Sequence, residues 1–191
     1  MGGVSQFAGS VTSEVPTHDR ASHSLRVRLG RSATDLCPKP DGVPVADLSV
    51  FSDLILLDHG LCVLSTSRRD GSVAASVVNA GVLQHPVTDV PVVGLVARGL
   101  RKLDSLRSDP RATIVARVGW RWAAVEGEAQ IIGPDDPHPD VDGERLRLLL
   151  REVFVAAGGT HEEWPEYDRV MIEERSAAVL IVPRRTYGNP G

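Results

Sequence analysis

Aromatic residues make up only 4% of this 191-residue chain, and cysteine and methionine occur twice each. The two cysteines, Cys37 and Cys62, fit no metal or redox spacing and read as reduced thiols of a cytoplasmic protein. No stretch approaches the ~20 apolar residues of a membrane span, and no N-terminal apolar h-region suggests secretion. Positive charge is not in surplus. A net charge of -4 argues against nucleic acid or a membrane surface as partner. The six histidines are scattered, and His18 and His23, five apart, do not share a helix face, so no metal site is expected. There is no G-x-S-x-G elbow, no H-E-x-x-H and no P-loop. The acidic pairs Asp135-Asp136 and Glu162-Glu163 are sequence neighbours, which do not face each other, and they read as solvated charges. If the chain is an enzyme, the hard chemistry belongs to a cofactor.

The length suits one domain with a real core. Residues 1–45 mix Gly, Ser, Thr, Pro and charges without period; they predict a disordered extension, or a start codon set too early, ahead of a domain over 46–191. From Asp47, a plausible N-cap, Leu48, Phe51, Leu54 and Ile55 repeat at helical spacing until His59-Gly60 ends the run. Strands are expected over 61–67, 72–83, 92–97, 112–118 and 121–132, the first two joined by the hairpin signal Arg68-Arg69-Asp70-Gly71. A short helix over 100–107, with Leu100, Leu103 and Leu106 inward, separates the third and fourth strands. Helices near 143–157 and 162–174 precede a last strand over 177–182. Six strands, mostly in hairpins and with few helices, predict a mainly β (α+β) architecture: a closed, six-stranded antiparallel barrel.

Two stretches carry candidate chemistry. In VARGLRKLDSLRSDPR, Arg98 ends a strand, Gly99 lets the backbone turn, and Arg101 and Lys102 fall in the first helical turn. Cations at a helix N-terminus oppose the dipole by roughly 0.3–1 kcal/mol unless an anion intervenes. The cluster is either a phosphate or carboxylate site or a solvated basic helix end with Asp104 and Asp109 as partners. In GWRWAAVEGEA, Trp120 and Trp122 lie two apart and so share a strand face, where they stack on a ring or fill a core or an interface.

The succession LCVLSTSRRDGS, SVVNAGVL, VVGLVARGLRKLDSLRSDPRATIV and WRWAAVEGEAQIIGPDD resembles the pyridoxamine-phosphate-oxidase-like split β-barrel proteins, and within them the branch that uses the deazaflavin coenzyme F420. The resemblance covers roughly 45–188. It implies an oxidoreductase with a heterocycle along the second strand at Val77, Val78 and Asn79, and a phosphate tail held by Arg98, Gly99, Arg101 and Lys102. It also implies a homodimer in which Trp122 or Trp120 reaches the partner's site, with an unsaturated small molecule as substrate. Arg107 and Arg111, which the family motif does not fix, either lengthen the anionic track or are ordinary surface arginines. FMN-using members carry Arg and Lys on the second strand, and SVVNAG has neither, which favours deazaflavin over FMN. An FMN enzyme, and a non-catalytic carrier of deazaflavin, haem or lipid, remain the alternatives.

Overall fold

In a computed structural model, which describes residues 47–189, the chain runs α1 (Ser49–Leu57), β1 (Leu61–Ser67), β2 (Val73–Gln84), β3 (Pro91–Ala97), α2 (Leu100–Ser108), β4 (Arg111–Val118), β5 (Arg121–Ile132), α3 (Gly143–Ala156), α4 (Trp164–Glu173) and β6 (Ala177–Asn189). The expected extension over 1–45 lies outside the described residues. The strands close into one barrel in the order β1-β2-β3-β6-β5-β4, every pair antiparallel. This is the architecture the strand pattern predicts. No described helix is long and apolar enough to cross a membrane.

The period-2 alternation decides the interior. Cys62 and Leu64, Val78 and Ala80, Ile114 and Ala116, Ala123 and Val125, Val179 and Ile181 point inward and are buried. Phe51, Leu54 and Ile55 of α1 join the same cluster, as do Leu103 and Leu106 of α2. Asp47 acts one residue earlier than expected: α1 starts at Ser49, whose N–H the Asp47 carboxylate accepts at 2.9 Å. A second cluster lies outside the barrel, where Leu149, Leu150 and Val153 of α3 and Tyr167 and Met171 of α4 cover Val92, Ala178 and Leu180.

Two differences from the sequence reading have clear causes. The last strand continues to Asn189 rather than stopping at Val182. Its polar half survives because Arg184 pairs with Glu128 at 2.6 Å and Arg185 with Glu126 at 2.7 Å across the strands, past an irregularity at Glu126/Gly127 opposite Pro183. Trp120 does not share a face with Trp122; it sits in the β4–β5 turn, 89% exposed. Helices α3 and α4 cover only part of the barrel wall. Leu61, Val63, Val73, Val77 and Tyr187 stay exposed on its outer surface.

Candidate functional site

The barrel is incompletely zipped on one side of β2. Val73–Asn79 pair with β1 alone, whereas β3 engages β2 only from Ala80 to Gln84. Ala80 N–H donates toward β1, to Gly60 O at 2.8 Å, so by alternation the N–H and C=O of Val77 and Asn79 point away from β1. An open strand edge results. It faces a cleft of about 440 Å³ whose walls are β2 at Val77, Val78 and Asn79, the His59 turn, Val96 and Arg98 of the β3 end, Lys102, and the C-terminal end of α3 with Gly158 and Gly159.

Two glycines set the far wall. A Cβ on Gly81 would lie 2.1 Å from the Ala156 carbonyl carbon, and one on Gly60 would lie 2.2 Å from Ala157 O. Only bare backbone lets the end of α3 settle on the barrel there. Asn79 stiffens the opposite wall, its side-chain amide donating to His59 O at 2.9 Å. That bond braces a turn in which His59 (φ 52°) and Gly60 (φ 76°) are both left-handed.

The basic corner is only partly available. Lys102 is half-buried and has no ion-pair partner among the described residues, and burial alone lowers its ammonium pKa. Arg98 also lines the cleft, but its guanidinium already pairs with Glu174 at 2.5 Å. Gly99 precedes α2 with φ 80° and ψ 151°, a conformation essentially reserved for glycine, and no side chain among the described residues caps the helix. Arg101 is exposed and lines none of the clefts described here. Arg107 and Arg111 are already partnered: Arg107 grips Asp136 at 2.6 Å and Asp104 at 2.9 Å, and Arg111 is tied to Asp109 at 2.7 Å. Trp122 stands edge-on to Tyr187, centroids 6.0 Å apart, on β5. Trp122 stands across the closed barrel from β2, with two strands between them in either direction. It is not part of its own chain's cleft.

A second cleft, about 370 Å³, is lined by Ser65, Ser67, Arg111, Thr113, Glu126, Glu128 and Arg184 among others. Its charges are satisfied locally, Arg184 by Glu128 and Glu126 by Arg185 and the Tyr187 hydroxyl at 2.7 Å. The first cleft has the better claim, because it combines an open strand edge, an apolar wall and a cation without a carboxylate partner among the described residues.

No protein-family model matches the chain. Solved structures do. A conserved hypothetical protein of Mycobacterium tuberculosis is 22% identical, over 79% of this chain and 89% of its own, with a TM-score of 0.54. A putative 5-nitroimidazole antibiotic resistance protein of Bacteroides thetaiotaomicron is 12% identical over 73% and 82%, at 0.52. A pyridoxamine 5'-phosphate oxidase-related, FMN-binding protein of Nostoc punctiforme is 16% identical over 77% and 85%, at 0.51. The fold is the split β-barrel of pyridoxamine-phosphate-oxidase-like proteins. In this split barrel, the cleft lies where β2 and β3 part.

The sequence reading missed His59, Val96, Phe154, Gly158 and Gly159 as cleft residues. In the sequence, His59-Gly60 reads only as a helix stop. No local signal marks them, since they reach β2 only through long-range packing.

Proposed function

We propose that this split barrel is an oxidoreductase dependent on the deazaflavin coenzyme F420, passing a hydride between that coenzyme and an unsaturated small molecule. One observation carries the reading: the unzipped edge of β2 shares one cleft with Lys102, which has no ion-pair partner among the described residues. The residues fit a flat group with an acidic tail. Backbone N–H and C=O of Val77 and Asn79 would hydrogen-bond the polar rim of a heterocycle. Lys102 and the uncapped start of α2 would take the acidic tail. Arg98 would join only by giving up Glu174. When bound, the coenzyme supplies the hydride; the chain orients the reacting groups and keeps water away with Val153, Phe154 and Ala157. Arg and Lys are absent from β2, which speaks for deazaflavin over FMN.

A homodimer belongs to the same proposal. Leu61, Val63, Val73 and Val77 leave a contiguous apolar outer surface, with Trp122 and Tyr187 further round the barrel. Val77 is both on that surface and in the cleft, so a second copy seated there would border the site. Titrating the purified protein with oxidised and reduced deazaflavin coenzyme and with FMN tests the reading. Saturable deazaflavin binding with none for FMN is expected. FMN bound more tightly, or no binding of either at tens of micromolar, would overturn it.

A further inference from the structure

Aromatic residues are scarce in this chain, yet three of them meet behind the cleft. Phe154 lies 5.0 Å from Tyr167 and 6.3 Å from Trp164, centroid to centroid, with the His161 ring 6.3 Å away. The supports are themselves anchored. The Tyr167 hydroxyl donates to Leu150 O at 3.1 Å, and the Arg151 guanidinium covers Trp164 at 4.9 Å. Asp168 holds Arg151 at 2.5 Å and Arg147 at 2.8 Å, tying α3 to α4. On the remaining side, Gly159 leaves room for the ring: a Cβ there would lie 2.5–2.7 Å from three Phe154 ring carbons. Phe154 is thus wedged from behind by rings and from beside by a glycine, and its half-buried remainder lines the cleft.

We infer that Phe154 is the selectivity wall of this site: it stacks on a flat, conjugated ring carrying an anionic group and disfavours saturated molecules of the same size and charge. The ring selection follows from the aromatic cluster alone; that the selected molecule accepts a hydride rests on the coenzyme reading above. A rigid aromatic face rewards planar partners beyond the area they bury, whereas the Lys102 charge attracts any carboxylate equally. Lys102 therefore governs affinity, and Phe154 governs choice.

Calorimetric titration of the full chain with naphthalene-2-carboxylate and trans-decalin-2-carboxylate tests this, since the two acids share skeleton and charge and differ in flatness. The naphthalene acid should bind about tenfold more tightly. Phe154→Leu should bring the ratio near one, and Phe154→Tyr should keep it. Gly159→Ala, which pushes the ring aside, should weaken the naphthalene acid selectively. Lys102→Ala should weaken both acids in parallel. Equal binding by the unaltered protein, no binding of either acid by ten millimolar, or a ratio that survives Phe154→Leu would each overturn the inference. Because no coenzyme is present, failure here is separable: ring selection without deazaflavin binding sinks only the coenzyme reading, and the reverse result sinks only this one.

Discussion

Lys102→Ala is the perturbation that bears most directly on the cleft. Lys102 is half-buried at the first turn of α2, faces the open edge of β2, and has no carboxylate partner among the described residues. A charge-assisted hydrogen bond from such an ammonium to an anion contributes roughly 1.5–3 kcal/mol, so its loss should weaken an anionic ligand about 10- to 150-fold. Arg98→Ala should cost less, under about tenfold, because Arg98 must first release Glu174. Burial lowers the Lys102 pKa below 10.5, which fixes the sign of two pH effects. The folded state binds the proton less tightly than the unfolded state, so stability contributed by this group rises with pH from the folded pKa toward the unfolded one. Removing the ammonium should accordingly leave Tm at pH 7 unchanged or raised. Anion affinity should run the other way, falling as pH climbs through the folded pKa on the alkaline side, and that fall should vanish in Lys102→Ala. The assay is calorimetric titration with the deazaflavin coenzyme, and with inorganic pyrophosphate as a ringless control, from pH 7 to 10.5. Unchanged affinity in Lys102→Ala, or an Arg98→Ala variant that loses more than Lys102→Ala, would refute the reasoning.

Four further outcomes follow from the packing. Phe51→Ala empties a fully buried position where α1 meets the barrel and should cost about 3–5 kcal/mol in urea denaturation. Gly81→Ala drives a Cβ to 2.1 Å from backbone of α3, so both Tm and ligand affinity should drop together, whereas Gly71→Ala, with open space around it, should leave the cleft untouched. Val63→Asp, on the exposed outer surface and outside the cleft, should convert a dimer to monomer by light scattering; a variant that stays dimeric would move the interface elsewhere. The Cys62 thiol is pushed up to about 12 by burial, so thiol reagents at pH 8 should modify it only after denaturant is added.

Much of this fold is written in local spacing. Phe51, Leu54 and Ile55 mark α1, Asp70-Gly71 marks the first hairpin, and Gly99 marks the break between β3 and α2 without reference to distant residues. The barrel itself follows from alternation, because a strand with one apolar face has to curl until that face is covered. The polar half of β6 escaped notice for the converse reason: Arg184 and Arg185 have nothing to pair with until β5 lies beside them. Trp120 and Trp122 looked equivalent because spacing of two implies one face, but the hairpin turn absorbs the first.

The chain alone thus determined which segments are strands, which faces are apolar and where basic residues gather, since helix and strand periods act between near neighbours. Only the tertiary structure decided that Arg98 is spent on Glu174, that Lys102 is not spent on any described carboxylate, and that His59, Phe154 and Gly159 line one cleft with β2. The last of these depends on how closely α3 can approach the barrel, which bare backbone at Gly60 and Gly81 permits, and closeness between distant segments leaves no periodic trace in a sequence.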